Sequence, residues 1–597
     1  MKETTMTTPE LADKLDTTSV NGPQDVMTNW DAISWRSVEQ DVRRLRRRIF
    51  KASQEGDLKR VRNLQKLMLR SQSNTLHSVR RVTQRNAGRR TAGIDGEVVL
   101  TSSARAELAV DLHRHTALWQ ARPVKRVYIP KANGKQRPLG IPVLRDRVQQ
   151  ARVANALEPE WEARFEPRSY GFRPGRGCHD AIEAIYWTLK GRRSKRQWVL
   201  DADLSAAFDR IDHERLLAHL GTFPARGLVA GWLAAGVIEQ GRFTSTDEGT
   251  PQGGVISPML LNIALHGMEE AAGVHYTRRD PHGAHVARGA PVLVRYADDF
   301  VIMCHTKGQA EQARHRLGEW LAPRGLEFNE DKTRIVHVDA GFDFLGFNVR
   351  RYDGKLLIRP SAAAVKRIRH RLADEVRSLR GTNSEAVIRR LTPIIRGWAG
   401  YYRSVVSKEV FSAVDHYLWQ HLYGWALRAH PRKSRNWVVD RYFGTFNPSR
   451  TDRWVFGDRD SGKYLRQFAW TKIVRHNMVM GTASPDDPAL DQYWARRRRK
   501  AYAQLGGLTA SLLLQQRGLC PVCGTFLLHA DHAPQSPQEW EQWIKAMTRA
   551  LRATALVLGN AHGGDRATRL THAHCRHLER QGSGASGIRG QTPLGLA

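Results

Sequence analysis

The sequence predicts an α+β fold in several domains. Residues 75–350 alternate strand-like and helical stretches, and residues 361–430 have the pattern of three successive helices. Residues 518–578 hold three of the five cysteines among several histidines, which is typical of metal ligation rather than of disulfides. The 597 residues, 41% of them hydrophobic, are enough for roughly three to five domains with ordinary cores.

The chain carries a large excess of positive charge. Lys and Arg number 94 against 59 Asp and Glu, and the formal net charge is +35. Such an excess indicates a polyanionic partner, most commonly nucleic acid, with acidic membrane surfaces as the alternative. No apolar run reaches the ~18 residues of a spanning helix, and the polar N-terminus has no apolar signal segment. We therefore expect an intracellular protein without a membrane span.

The N-terminal region combines a polar tail with basic helices. Residues 1–29 are polar and are predicted to be disordered. Residues 35 to about 69 have apolar positions at helical spacing amid dense Arg and Lys, and the turn QEGD divides them into two helices. Because acidic residues are too few to balance the charge, we interpret this face as RNA-binding, with Arg43, Arg46 and Arg47 among its cations. The alternative is an ordinary solvated charged face.

Two adjacent carboxylates mark a predicted β-hairpin. In VLVRYADDFVIMC (292–304), two apolar strand-like runs flank Ala-Asp-Asp, and Asp tolerates tight turns. Like charges side by side repel, so Asp298 and Asp299 are costly unless a cation neutralises them. The alternative is a solvated acidic turn, the commoner origin of a lone Asp-Asp.

A third carboxylate lies upstream, in QWVLDADLSAAFDRIDHERLL (197–217). We predict a strand over 198–204 that places Asp201 and Asp203 on one face. If Asp203 faces the Asp-Asp pair across a sheet, three carboxylates together with substrate phosphates suffice to hold two Mg²⁺ ions. Two such ions activate a 3′-hydroxyl and stabilise a leaving pyrophosphate. Acidic strand ends also occur in many hydrolases.

Other segments hold cations suited to a nucleoside triphosphate. VYIPKANGKQRPLGIP (127–142) is predicted to be a hairpin with Lys131, Lys135 and Arg137 near its turn. In SYGFRPGRGCHDAIEAI, a Gly/Pro loop carries Arg173 and Arg176 ahead of a helix. Each loop taken alone is weak evidence, since most basic loops are only basic loops.

Two further segments complete a nucleotide site. EGTPQGGVISPMLLNIAL (248–265) places a Gly-rich turn before an apolar helix, where backbone approaches a ligand closely. Phe208 lies five residues beyond Asp203. Its ring is either part of the core or fills the space of a 2′-hydroxyl and so selects deoxynucleotides.

In this order, the segments resemble those of bacterial group II intron-encoded reverse transcriptase–maturases. RRVTQRNAGRRTAGIDGE resembles the N-terminal extension of that family. IPKANGKQRPLGIP, YGFRPGRGCHDAI, DADLSAAFD, GTPQGGVISPMLLNI, YADDF and LEFNEDKTRIVHVDAGFDFLGF resemble its successive polymerase blocks. The helices around LTPIIRGWAGYYR resemble its thumb and maturase domain. The resemblance extends from Trp35 to about Glu579.

The resemblance implies a right-hand polymerase with α+β fingers and palm, a helical thumb/maturase domain and a small zinc-binding C-terminal domain. It implies two Mg²⁺ ions held by Asp203, Asp298 and Asp299. Nucleotide contacts are expected at Lys131, Arg137, Phe208, Gln252 and Lys332. The predicted domains are a disordered N-terminus (1–29), a basic extension (30–100), fingers and palm (101–355), thumb/maturase (356–430), a DNA-binding region (431–510), an HNH-like zinc domain (511–580) and a disordered tail (581–597).

The C-terminal segments CPVCGTFLLHADHAPQ and RLTHAHCRHLE resemble an HNH endonuclease domain, which in this family nicks the second target strand. The resemblance implies one structural zinc on Cys520, Cys523, His572 and Cys575, at spacings usual for such sites. It places Asp531 and His532 in a nuclease remnant, with His532 as the general base.

Two features of the HNH-like segment depart from the family. The expected Asn is missing near Ala567, and Arg576 stands where a metal-binding His is expected. Arg does not ligate cations and repels them. We therefore expect a zinc-folded DNA-binding module with impaired nicking, the alternative being a fully active endonuclease.

The resemblance implies a function in intron splicing and mobility. The expected partners are intron RNA, target DNA and deoxynucleoside triphosphates, in a bacterial cytoplasmic protein associated with RNA and the nucleoid. One rival is a splicing-only maturase, which would require damaged palm acids. Another is a reverse transcriptase of a retron or a diversity-generating element, which would lack the helices after residue 361 and the HNH-like tail.

Overall fold

The computed structural model describes residues 29–115, 119–130, 136–191, 194–250, 253–502, 507–521, 527, 534–553 and 569–571. The predicted disordered segments 1–29 and 581–597 lie outside these residues, apart from Asn29. Among the described helices, none is long and apolar enough to cross a membrane. The domain boundaries stay predictions.

The N-terminal region is a group of helices packed on the fingers. They are α1 (Trp35–Gln54), α2 (Leu58–Arg70), α3 (Gln72–Arg80) and α4 (Ser102–Arg114). On α1, Val38, Val42, Leu45 and Ile49 recur at intervals of three and four and are all buried, so one stripe faces the core. The predicted division at QEGD is confirmed, since α1 and α2 flank it.

The fingers contain a small four-stranded sheet in the order β2-β1-β4-β5. Its strands are β1 (Val124–Pro130), β2 (Gln136–Ile141), β4 (Val237–Glu239) and β5 (Arg242–Thr244). β1 and β2 pair antiparallel, as the predicted hairpin requires. The helices of this region are α5 (Leu144–Glu162), α6 (Cys178–Leu189), α7 (Ala207–Arg210), α8 (His213–Leu220), α9 (Arg226–Ala234), α10 (Ser257–Ala264) and α11 (Met268–Ala271).

The region predicted as the palm holds an antiparallel sheet in the order β10-β3-β9-β8, covered on both faces. Its strands are β3 (Trp198–Ala202), β8 (Val292–Tyr296), β9 (Asp299–Cys304) and β10 (Arg334–His337), with the short hairpin β6 (Tyr276–Asp280) and β7 (Gly283–Val286) nearby. Val301 and Met303 enter one hydrophobic core, whereas Phe300 and Ile302 enter the other. α6 packs by β8, and α12 (Lys307–Leu321) packs by β3 and β9.

The thumb begins after a three-stranded sheet, β11 (Phe342–Phe344), β12 (Phe347–Tyr352) and β13 (Lys355–Pro360). Its helices are α13 (Ala362–Ser378), α14 (Ser384–Tyr402) and α15 (Lys408–Ala429). The three helices predicted over 361–430 are therefore confirmed. Their apolar faces share one core with one side of the palm sheet.

The C-terminal part returns to contact the rest of the molecule. Its elements are α16 (Arg435–Tyr442), β14 (Phe443–Gly444), β15 (Val455–Phe456), α17 (Asp491–Tyr502), α18 (Gly507–Gln515) and α19 (Pro537–Ala553). Asp486 binds Arg46 of α1, and α19 packs along α14 of the thumb.

Candidate polymerase active site

The Asp-Asp pair lies at the tip of a β-hairpin. β8 and β9 pair antiparallel, and Tyr296 opposite Asp299 is their last pair. Ala297 has a φ of 57°, a left-handed conformation that is costly for a residue with a Cβ. Gly171 allows the turn to pack closely, because a Cβ there would lie 2.3 Å from the backbone nitrogen of Ala297. The predicted hairpin is confirmed, with a strained turn presenting Asp298.

A buried arginine supports this turn from below. Nη1 of Arg295 donates to Oδ1 of Asn262 at 2.9 Å and to the carbonyl oxygen of Ala297 at 3.2 Å. The amide of Asn262 in turn donates to the carbonyl of Gly171 at 2.9 Å. Burial lowers the pKa of Arg295 to about 10. Sequence reasoning missed both Arg295 and Asn262, although each is a polar residue inside an apolar run.

Asp203 lies beside the hairpin because of the strand pairing. β3 runs antiparallel to β9 with Ala202 opposite Phe300, so the residue after β3 meets the start of β9. Burial raises the pKa of Asp299, and the nearby charges of Asp298 and Asp203 raise it further, so Asp203 lies close to this side chain. The strand ends two residues earlier than predicted, at Ala202, because Leu204 bridges to Phe328 instead. The structure thus brings the three predicted carboxylates together.

The negative charges of this site are only partly balanced. Burial raises the pKa of Asp298, and Asp203 raises it further, whereas Arg137 and Lys332 lower it. Burial raises the pKa of Asp299 well above its ordinary value, and Asp298 and Asp203 add to this effect. Such coupled carboxylates favour a bound cation, which would remove the repulsion.

Lys332 is the cation in direct contact with the acids. Its Nζ binds Oδ2 of Asp203, and this hydrogen bond raises the pKa of Lys332. Two residues later, Arg334 pairs in the same way with Asp201, at 3.1 Å. Asp201 and Asp203 therefore have different cationic partners on the neighbouring segment.

Carboxylate oxygens are suitable ligands for Mg²⁺, but these residues do not supply a full coordination shell. Within the described residues, no group of three or more His, Cys, Asp or Glu side chains is arranged to hold a metal ion by itself. Mg²⁺ ordinarily takes one or two carboxylates and completes its shell with water and substrate phosphates. The site therefore matches a cation that arrives with its substrate.

The predicted nucleotide contacts are only partly described. Arg137 lies on β2, and its charge acts on Asp298. Lys131 and Gln252 lie outside the described residues, as does Lys135. Gly253, directly after Gln252, packs against β2, since a Cβ on it would lie 2.6 Å from the carbonyl oxygen of Gly140.

Phe208 lies in a short helix directly after the acidic strand. Ala206 turns the chain with a φ of 44°, and α7 follows. The Phe208 ring is 8% exposed and meets the ring of Phe172, which is 47% exposed, edge to face at 6.3 Å. The ring is thus packed rather than free in solvent, and one neighbour is open to solvent.

Arg173 and Arg176, whose loop was one of the segments suggested for a polymerase site, are structural residues instead. Both side chains are buried. Arg173 forms a bidentate pair with Glu162, and Arg176 donates to the carbonyls of Pro167 and Gly481 at 2.7 and 2.8 Å. These arginines hold the loop in place and do not face a ligand.

The RNA-facing interpretation of the basic α1 face also needs correction. Arg46 binds Glu158 and Asp486 at 2.7 and 2.6 Å with its side chain only 14% exposed. Burial lowers the pKa of Arg46, but Asp486 and Glu158 raise it by more. Arg47 pairs with Asp491. Of the three predicted cations, only Arg43 lies in an exposed position.

The predicted zinc unit is mostly outside the described residues. Cys520 is buried, whereas Cys523, His572 and Cys575 are not described, nor are Asp531 and His532 of the nuclease remnant. The zinc set and the HNH-like remnant therefore stay predictions.

Comparisons with known families divide the chain into three matching parts. Residues 129–349 match the reverse transcriptase (RNA-dependent DNA polymerase) family, and residues 30–112 match the N-terminal domain of reverse transcriptase. Residues 365–443 match the group II intron, maturase-specific domain. The three matches follow one another along the chain and cover the N-terminal helices, the fingers and palm, and the thumb.

Individual relatives agree with these matches. Protein YkfC of Escherichia coli is 39% identical over 48% of this chain and 82% of its own length. The group II intron-encoded protein LtrA of Lactococcus lactis is 31% identical over 38% of this chain and 47% of its own length, so the match spans about half of LtrA. A solved telomerase from Candida albicans has 14% identity and a TM-score of 0.30 over 54% of this chain and 64% of that chain, a likeness too small to establish a shared fold.

Proposed function

Because the chain belongs to the reverse transcriptase–maturases of group II introns, RNA-directed DNA polymerases of intron splicing and mobility, we propose that Asp203, Asp298 and Asp299 are its catalytic carboxylates. The observation that carries the proposal is their convergence at the ends of β3 and the β8–β9 hairpin. Burial raises the pKa of Asp299 there, and the charges of Asp298 and Asp203 raise it further, an arrangement that a bound cation would relieve.

The residues around the carboxylates have separate roles in this proposal. The three Asp side chains would hold two Mg²⁺ ions, which when bound supply activation of the primer 3′-hydroxyl and charge neutralisation at the pyrophosphate. Arg137 and Lys131 contact the triphosphate from the β1–β2 hairpin, and Gln252 contributes from the Gly-rich loop. Lys332 balances the charge of Asp203.

The choice of deoxynucleotides is assigned to Phe208. Its ring is packed against Phe172 and sits in the helix that follows the acidic strand, so its position is well defined. A fixed ring beside the sugar leaves no room for a 2′-hydroxyl, whereas a mobile one would yield to it.

The RNA partner is intron RNA, recognised largely through positive charge. The net charge of +35 supports strong, salt-dependent binding to phosphates. On the N-terminal helices the exposed cations include Arg36, Arg43, Arg44, Lys59 and Arg60. These positions, rather than Arg46, are proposed to contact RNA and to assist splicing.

The C-terminal region is proposed to bind target DNA through a zinc-folded module with impaired nicking. Cys520, Cys523, His572 and Cys575 would hold one zinc ion, while Arg576 stands where a cation ligand of an active site is expected. Metal analysis of the purified protein should give about one zinc per chain, lost in Cys520→Ser. A protein-dependent nick of the second strand that His532→Ala abolishes would contradict the impaired-nicking proposal.

The central experiment uses the full chain with its neighbouring intron RNA. We expect Mg²⁺-dependent extension of a DNA primer on an RNA template, together with faster splicing of the intron RNA in the presence of protein. Splicing without any primer extension would instead support a splicing-only maturase and would overturn the polymerase assignment.

A further inference from the structure

The first turns of α19 lie directly on a thumb helix. A Cβ at Gly397 of α14 would lie 2.8 Å from the backbone nitrogen of Glu541, and a Cβ at Gly400 would lie 3.4 Å from Cε3 of Trp540. Helices that approach through glycines in this way are in near-backbone contact. The segment Gln535–Lys545 is therefore tightly docked on the thumb.

A carboxylate of the segment is paired with an arginine of the thumb. Glu541 is 4% exposed, and its Oε2 accepts a hydrogen bond from Nη2 of Arg371 on α13 at 2.6 Å. Its Oε1 accepts from Nζ of Lys545 at 2.5 Å. A carboxylate and a nucleic-acid phosphate bind an arginine side chain with the same sign of charge and a similar geometry.

The segment also reaches the palm beside the carboxylates. Oε1 of Gln535 accepts hydrogen bonds from the backbone nitrogen of Cys178 at 2.7 Å and from the Tyr296 hydroxyl at 3.3 Å. Tyr296 is the strand partner of Asp299. A cavity of about 310 Å³ between palm and thumb is lined by Tyr296, Gly346, Arg367, Arg371 and Tyr401, and residues 535–538 form one of its walls.

We propose that Gln535–Lys545 is an autoinhibitory segment that a primer–template duplex displaces. The inference rests on the proposed polymerase function, because a primer end that reaches Asp299 must bring its duplex past Tyr296, between the hairpin and the thumb. The docked segment fills that approach and pairs with Arg371. The occupant of this surface in the free protein is thus the chain itself, and the competing partner is an RNA–DNA duplex.

Only molecules in which the segment is released can bind duplex. The apparent affinity is therefore the intrinsic affinity multiplied by the fraction of released molecules. Glu541→Ala removes the contact with Arg371, and Gly397→Ala drives a methyl group into the backbone of α19 while favouring the thumb helix itself. We expect each variant to bind a labelled RNA–DNA duplex about five- to tenfold more tightly than the unmodified chain. Fluorescence anisotropy without Mg²⁺ measures this change.

Two matched controls separate release of the segment from general effects. Gln542→Ala alters an exposed side chain of the same helix. Gly424→Ala alters α15, where a Cβ would lie 3.8 Å from the flexible Arg428 side chain. Both controls should bind duplex as the unmodified chain does, and thermal unfolding verifies that all four variants are folded.

Hydrogen exchange gives a second measurement on the unmodified full chain. Amides of residues 540–545 should be protected in the free protein and should lose protection when duplex is added. Duplex affinity within twofold of the unmodified chain for both Glu541→Ala and Gly397→Ala would overturn the proposal, as would persistent protection with duplex bound. Neither readout needs DNA synthesis, so failure of primer extension alone counts against the polymerase function and not against displacement.

Discussion

Two clusters of charged side chains, one at the palm hairpin and one near the start of α6, differ in how their charges are balanced. At the hairpin tip, Asp203, Asp298 and Asp299 repel one another, and burial and repulsion raise the pKa of Asp299. Near the start of α6, a buried ion-pair cluster holds two carboxylates that each bind an arginine, Glu162 with Arg173 and Asp180 with Arg497. We propose that the first cluster receives a cation, whereas the second stabilises the fold.

The buried ion-pair cluster is matched atom by atom. Nε and Nη2 of Arg173 bind the two carboxylate oxygens of Glu162 at 2.9 and 3.0 Å, and both side chains are 1% exposed. Asp180 accepts hydrogen bonds from His476, Val479 and Arg497 at 2.7–2.8 Å. Burial raises the pKa of Asp180, but Arg497 and His476 lower it by more. Complete pairing of this kind indicates a structural role.

The largest expected effect comes from neutralising an unbalanced acid. Asp298→Asn or Asp203→Asn should lower Mg²⁺-dependent primer extension about 1000-fold or more, because an amide keeps the shape but loses the charge that holds the cations. RNA binding should be nearly unchanged. Asp201→Asn is the matched control, since Asp201 is paired with Arg334, and it should stay within a few-fold of full activity. Full activity of either first variant would remove these acids from the proposed site.

Breaking the balanced cluster should cost stability instead. Arg173→Ala leaves the Glu162 carboxylate buried without its partner, which should lower the free energy of unfolding by about 3–5 kcal/mol. Denaturant unfolding measures this loss. The double variant Arg173→Met/Glu162→Leu should recover most of it, since apolar side chains of similar volume replace the pair. A loss of primer extension without any loss of stability would assign Arg173 to substrate binding after all.

The rings of Phe208 and Phe172 are in contact between the two regions. Phe208 follows the acidic strand, and Phe172 lies in the loop before α6. Phe208→Ala should raise the use of ribonucleotides relative to deoxynucleotides by about tenfold, because the space for a 2′-hydroxyl opens. Phe172→Ala removes the ring that holds Phe208 in position and should raise the ratio by a smaller factor. Steady-state incorporation of each nucleotide on one template gives the ratio. An unchanged ratio in Phe208→Ala would mean that this ring only packs in the core and does not select the sugar.

The smallest effect is expected at the N-terminal helices. Arg43→Gln/Arg44→Gln should reduce the slope of log affinity for intron RNA against log salt by about 1–2, one phosphate contact per charge lost. Arg46→Gln should instead lower the melting temperature, since Arg46 bridges Glu158 and Asp486. If both variants change the salt dependence of RNA affinity equally, Arg46 belongs to the RNA-binding face after all.

Much of the site was predictable because its signals are local. Alternating apolar residues on both sides of Asp298 and Asp299 predict the hairpin, and helical spacing predicts α1, α2 and the thumb helices. The repulsion between adjacent carboxylates is a property of the sequence itself. The sequence by itself therefore determined the adjacent carboxylates, the elements that carry them and the excess of positive charge.

Only the tertiary structure decided which charges are paired. Arg46 and Asp486 are 440 positions apart, and Arg176 contacts Gly481, so no local pattern distinguishes these structural arginines from RNA-binding ones. The same holds for Glu541, which meets Arg371 across 170 positions. Charge and helical periodicity are local properties of the sequence. The partner that neutralises a charge, and the segment that packs on the thumb, depend on which distant elements come together in the fold.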